Sequence, residues 1–287
     1  MIPTSSYGNV MTVFRRLASI LTLALYVAGS PGAVFAADNS AAEFKKLAEL
    51  DFAGVQKRAD AGQENAKLEL ATRYVAGKDV AKDDRKAIEI ITALADRNAQ
   101  ATYLMGSAYA NGVGVEKSDA KAVEWFRRSA EKGNVNGQYW LGNMMAIGRA
   151  GGPADAKAAK PWFEKAAQQG DPGSQYALAL IFGNGLAGDP PSWEKAVPLL
   201  KKAAEKRESA AAMVLGMLYT NGTGVKKNPD EAAKWFRHSI SIDRNAQSQV
   251  NLTRLITDGL VKRLPGDPLL DLSPEALGIS ADVSAKN

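Results

Sequence analysis

The 287-residue sequence predicts an all-α fold, an α/α superhelical solenoid of helix-turn-helix repeats, on three observations. A small residue recurs at Ala71, Gly106, Gly142, Ala179, Gly216 and Thr253, with intervals of 35, 36, 37, 37 and 37 residues. Each interval holds two apolar stripes at helical spacing, joined by a turn-forming stretch. A helix-capping side chain stands at one fixed offset before every second stripe.

The first helix of a copy is clearest at Ala101, Met105 and Tyr109, which recur four apart on one face beside Gly106. A glycine inside a helix costs about 1 kcal/mol relative to alanine. Its return at Gly142 and Gly216 predicts a close helix–helix approach that a side chain would block. The inter-helix turn reads Asn-Gly-x-Gly-Val at 111–115 and 221–225, where glycine supplies positive φ. The second helix carries Ala122, Trp125, Phe126 and Ala130, repeated as Ala159, Trp162, Phe163 and Ala167, and as Ala232, Trp235, Phe236 and Ile240. Four residues before the stripe alanine stand Asp83, Ser118, Asp155, Ser192 and Asn228, all favoured N-caps.

Copies three and four depart from the pattern. Pro161 and Pro198 fall inside the second helix, where each removes a backbone hydrogen bond and predicts a bend. Their inter-helix loops, Arg149 to Pro153 and Leu186 to Pro191, are longer and rich in glycine or proline, which marks a change of curvature or a recognition loop. Five full copies and one further first helix occupy residues 62–260. Residues 37–61 read as a helical N-terminal cap. Residues 261–287 read as an extension with a short helix start at Ser273-Pro274-Glu275 and a disordered polar tail from Ser280.

Residues 1–36 read as a secretory signal peptide. Arg15 and Arg16 precede the uncharged stretch Leu17 to Val27, and Val34-Phe35-Ala36 supplies the small-residue end, with cleavage between Ala36 and Ala37. Met1 and Met11 are alternative starts. The apolar stretch falls short of the roughly 20 residues a membrane span requires. The chain has no cysteine, which excludes a lipobox, disulfides and thiolate metal sites. The net charge is +5, and loss of Arg15 and Arg16 leaves 34 basic against 31 acidic side chains. Charges of both signs are interspersed, as in 201–208, a pattern of solvated helix faces rather than of a nucleic-acid binder.

Gln138-Tyr139-Trp140-Leu141-Gly142, the stretch from Tyr109 to Val115, and Trp125 to Gly133 resemble the Sel1-like repeat family, relatives of tetratricopeptide repeats. The resemblance covers about residues 62–260 and is weakest in copies three and four. It implies a right-handed superhelix whose first helices line a concave surface, and a role as an adaptor that binds another protein. Carried over copy by copy, that surface holds Tyr103, Ser107 and Asn111; Tyr139 and Asn143; Tyr176 and Asn184; Met217 and Asn221; and Arg254. The same tyrosines also suit packing between neighbouring helices.

Catalysis is not expected. The one histidine, His238, sits among Lys234, Arg237 and Ser239 and reads as a solvated surface residue. Without cysteine or a second histidine the usual zinc ligand sets cannot be built, and no nucleophile-elbow sequence is present. No cofactor site is read. The expectation is a periplasmic, non-enzymatic interaction scaffold with a protein partner, no membrane span and no lipid anchor. Two alternatives stand beside it: an immunity or inhibitor protein against a toxic secreted effector such as a lipase, and a hydrolase of envelope material.

Overall fold

A computed structural model describes residues 39–268. The signal-peptide reading, the Ser273-Pro274-Glu275 helix start and the tail from Ser280 lie outside the described residues. Contacts divide the chain into two compact units, with the boundary between Asp155 and Ala156. All regular structure among the described residues is helical.

The first unit contains α1 (Asn39–Ala48), α2 (Phe52–Asp60), α3 (Glu64–Ala76), α4 (Asp84–Ala95), α5 (Ala99–Asn111), α6 (Asp119–Glu131) and α7 (Val135–Ala146). The second contains α8 (Ala156–Gln168), α9 (Pro172–Asn184), α10 (Trp193–Glu205), α11 (Ser209–Asn221), α12 (Pro229–Asp243) and α13 (Ala246–Thr257). The α5/α6, α9/α10 and α11/α12 pairs are the most extensively packed neighbours. Each pair is one copy of the repeat, so the sequence period and the hairpin coincide.

Local chemistry sets the ends of these helices. Asp83, Ser118, Ser192 and Asn228 accept main-chain hydrogen bonds at the starts of α4, α6, α10 and α12, and Asp155 stands in the same place before α8. The amides of these residues also bond back to the preceding helix. The N–H groups of Asp83, Ser118, Asp155, Ser192 and Asn228 donate to the carbonyls of Tyr74, Tyr109, Met145, Phe182 and Tyr219 at 2.8–2.9 Å. At Asp83, Ser118, Ser192 and Asn228, one residue therefore starts the second helix and ties it to the end of the first.

The turn glycines do more than adopt positive φ. A Cβ on Gly114 would lie 2.5 Å from the Asp84 carbonyl oxygen, and one on Gly224 would lie 2.6 Å from Cβ of Trp193. Each turn therefore presses its second glycine against the start of the preceding copy's second helix. The glycine spacing records stacking between copies as well as turn geometry.

Stacking also neutralises exposed helix ends. Lys132 Nζ donates to the carbonyls of Ala95 and Asp96 at 2.9 and 2.7 Å, and Lys206 Nζ donates to Gly170 at 2.6 Å. His238 joins this series: its Nε2 lies 2.9 Å from the Ala204 carbonyl, and its ring meets Trp235 edge-on at 6.0 Å. The expected solvated histidine is in fact half-buried. The ring gives the Ala204 oxygen, which also accepts from the Arg207 amide at 2.9 Å, a second polar contact at the carbonyl end of α10.

Pro161 and Pro198 lie inside α8 and α10, which run unbroken over 13 residues each. Both prolines are exposed, as are Lys157 and Glu194 four residues earlier, so the carbonyls they leave unpaired are on the water side of the helix.

At the N-terminal side, α1 and α2 cover α3 with a small core of Leu47, Val55, Ala59, Ala66 and Leu70. Arg73, 1% exposed, fastens that cover. Its Nε pairs with Glu69 at 2.9 Å, and its Nη2 donates to the carbonyls of Leu47 and Leu50 at 3.1 and 2.7 Å. At the other side, no helix follows α13 up to Pro268. Val261 is buried against the α12/α13 core, and Asp267 is held by Arg237 at 2.9 and 2.7 Å.

Candidate functional site

The residues expected to meet a partner divide between the two units. In the first unit Tyr103 is 7% exposed, and its ring stacks on Phe126 at 5.9 Å. Phe126 stacks in turn on Trp140 at 6.2 Å, and Trp140 meets Tyr139 edge-on at 5.4 Å. These rings join α5, α6 and α7 through their faces, so Tyr103 is taken up by packing. Its neighbours point outward: Asn111 is exposed, while Ser107, Tyr139 and Asn143 are half-buried. Asn111 Nδ2 donates to the Ser107 carbonyl at 2.9 Å, which holds its amide on the helix surface.

In the second unit Tyr176 packs against the core of α9, α10 and α11. Burial pushes its phenol well above the usual tyrosine range, with the charge of Glu208 adding to the effect. The ring is therefore neutral and serves as packing material. Asn184 Nδ2 donates to the Leu180 carbonyl at 3.0 Å, repeating the Asn111 arrangement. Met217 is half-buried against the α12/α13 core, and Asn221 and Arg254 are exposed.

Each unit thus presents a first-helix face in which tyrosine anchors the packing and uncharged amides reach solvent. Exposed Ile147, at 47%, extends that face in the first unit, and sequence reasoning passed over it. Its signal is positional: it stands where Asn111, Asn184 and Asn221 stand in other copies. Arg73 was also missed. It occupies the repeat position that holds Ala108, Met144, Ile181, Leu218 and Leu255 elsewhere, and a charge in that buried apolar row marks a special contact.

Among the described residues, no three or more His, Asp or Glu side chains are grouped so as to hold a metal ion. Among the same residues, no helix is long and apolar enough to cross a membrane.

Comparison with known proteins gives the same architecture. The chain is 32% identical over 102 residues to the Sel1-repeat-containing protein YjcO of Escherichia coli K12, a match spanning 33% of this chain and 44% of the relative. The chain thus spans less than half the length of that curated relative. A solved Sel1 repeat protein from Oxalobacter formigenes superposes with a TM-score of 0.63 at 27% identity, covering 71% of this chain and 59% of that one. The protective antigen c5321 of uropathogenic E. coli, which displays an SLR fold, gives a TM-score of 0.54 at 24% identity, covering 80% and 55%. Its identity is low enough that it speaks to the fold alone. The Sel1 repeat model matches five consecutive segments, 65–98, 99–134, 135–171, 172–207 and 209–239. Those segments make up more than half the chain and coincide with the helix pairs from α3/α4 to α11/α12, and the protein belongs to the Sel1 repeat family.

Proposed function

We propose that this protein is an exported, non-enzymatic scaffold that holds another protein on the first-helix face of its repeats. A fold of Sel1 repeats suggests protein–protein interaction as its general role. The observation that favours the first-helix face is chemical. Asn143 and Asn221 make no side-chain hydrogen bond within the described residues, while Asn111 and Asn184 are braced by a helix carbonyl. Half-buried or exposed amides with open donors and acceptors are suited to pairing with a partner's polar groups, beside the apolar surface of Met217 or Ile147.

Export to the periplasm is supported by the order Arg15-Arg16, Leu17 to Val27 and Val34-Phe35-Ala36. The absence of cysteine favours release as a soluble chain without a lipid anchor. Non-enzymatic action is supported by the single histidine and its use at the end of α10.

Two measurements test the proposal. Mass spectrometry of the protein recovered from the periplasmic fraction should show Ala37 as its first residue; an intact leader or cytoplasmic retention overturns the export reading. Crosslinking in whole cells from a photoreactive residue at Asn143 or Asn221 should trap one recurrent protein partner. The same residue at exposed Glu205 on α10 should not. Equal labelling from both faces overturns the first-helix assignment.

A further inference from the structure

The loop after α7, marked in the sequence by its glycines, turns back toward α6 and builds a second surface on the second-helix side of the first unit. Arg149 of that loop forms a two-pronged ion pair with Asp119, the first residue of α6; Nε reaches Oδ2 at 2.8 Å, and Nη2 contacts Oδ1. The guanidinium holds the Asp119 carboxyl below the usual carboxylate range, and Asp119 raises Arg149 in return. This pair walls one side of an open hollow of about 480 Å³, with Val123 at its apolar floor. Arg127 and Arg128 line the hollow farther along α6, together with Glu124.

The charges in this hollow are unequally satisfied. Asp119 is fully engaged by Arg149. The guanidinium groups of Arg127 and Arg128 form no ion pair or hydrogen bond among the described residues, although Glu124 and Glu131 lie three or four residues away on the same helix. Arg128 instead lies over the face of Trp125, with its guanidinium carbon 5.0 Å from the ring centroid. That contact leaves the guanidinium edge, the part that pairs with carboxylates, free to bind. Two open guanidinium groups face one unpaired carboxylate, Glu124, above an apolar floor.

We infer that this hollow docks an acidic segment of a partner protein, with Arg127 and Arg128 taking its carboxylates and Val123 receiving an apolar side chain. Arginine suits this task because its planar fork binds carboxylate through two parallel hydrogen bonds. Arg149, fixed by Asp119, shapes the wall and leaves recognition to the other two. The surface lies on second helix and loop, separate from the amides of the first-helix face, so either surface can fail without the other.

Hexaglutamate is the probe, titrated into the full chain at physiological salt while the Trp125 indole and the Arg127 and Arg128 Nε resonances are followed by NMR. The expected result is saturable movement of all three signals, weakened at least tenfold in R127Q/R128Q. Both arginines are exposed, so the folded state of that variant is checked by an unchanged melting temperature. Hexaglutamine should produce no shift. Absence of movement with hexaglutamate, or equal affinity in R127Q/R128Q, overturns the inference. Equal shifts with inorganic phosphate at the same charge concentration also overturn it, since they reveal a general anion site.

Discussion

Phe126 lies directly over Gly106: a Cβ added to the glycine would fall 2.5 Å from Cδ1 and 2.7 Å from Cε1 of the ring. Phe236 covers Gly216 in the same way, at 2.5 Å from its Cε1. Where the small residue is alanine, the second helix supplies an aliphatic side chain to the same core, Ile91 beside Ala71 and Leu200 beside Ala179. Glycine goes with phenylalanine and alanine with a smaller side chain, so the two positions share one fixed volume.

That relationship predicts a rescue. Gly106→Ala should destabilise the protein by about 1–3 kcal/mol through overpacking, despite its better helix propensity. Phe126→Leu alone should cost about 1 kcal/mol or more by leaving a void. The double variant recreates the Ala179/Leu200 combination and should lie at least 1 kcal/mol above the sum of the single losses, a coupling in the usual range for touching residues. Chemical denaturation of all four proteins measures it, and strict additivity would refute the shared-volume reading.

Arg73 predicts a local effect at a distance in sequence. Arg73→Ala strands Glu69 and the carbonyl of Leu50, and leaves the Leu47 carbonyl with the Leu50 amide alone. A loss of about 3 kcal/mol is expected for a buried, multiply bonded charge. Amide exchange in α1 should accelerate far more than in α6. Uniform acceleration would mean that Arg73 supports the whole unit rather than the α1 cover.

Asp171 predicts a pH dependence. It caps α9 by accepting from Ser174 N at 2.6 Å, yet burial raises its carboxyl above the usual range, against the opposing hydrogen bonds from Ser174. A carboxyl raised on folding holds its proton more tightly in the native state. Its contribution is fully present below the unfolded pKa and declines as pH rises through the folded one. Asn98, Asn134 and Asn245 occupy the equivalent cap positions, so Asp171→Asn keeps the cap without the charge. The variant should melt higher than wild type near pH 7, with the gap closing toward about pH 4. A gap that widens on acidification would contradict the sign.

Ser239 predicts the cost of a buried hydroxyl relay. Its Oγ lies 3.0 Å from Ser209 Oγ and accepts from Ser248 Oγ at 2.9 Å, linking α11, α12 and α13. Ser239→Ala should cost about 1–2 kcal/mol, because two buried hydroxyls lose a partner. Thermal melting followed by circular dichroism tests this, and an unchanged midpoint would show that the other bonds of Ser209 and Ser248 suffice.

Helix pairing and helix starts were legible in the chain because each depends on residues within about 20 positions of one another, and the period because one pattern returns every 35 to 37 residues. The spacing from Ala71 to Thr253 located the hairpins, and Ser118 and Asn228 located helix starts, since an N-cap acts on amides two or three residues away. Gly106 signalled a close approach before its partner was known. The candidate site was legible only as a row of positions. Whether a side chain in that row faces a neighbour or solvent depends on the helices packed around it: Tyr103 is enclosed by Phe126 of α6, while Asn111, two turns later on the same helix, is open.

Contacts some 25 or more residues apart were decided by the tertiary structure. Arg73 reaches back to Leu47, His238 to Ala204, and Arg149 to Asp119, each across 26 to 34 positions. A charged or polar side chain reads the same in sequence whether it is solvated or holds a backbone carbonyl from the preceding copy. Only stacking brings that carbonyl within reach, and the desolvation that follows makes the bond obligatory. The repeat therefore dictated the kind of fold, while the unequal use of its polar side chains, including the two open arginines of α6, emerged when the copies packed together.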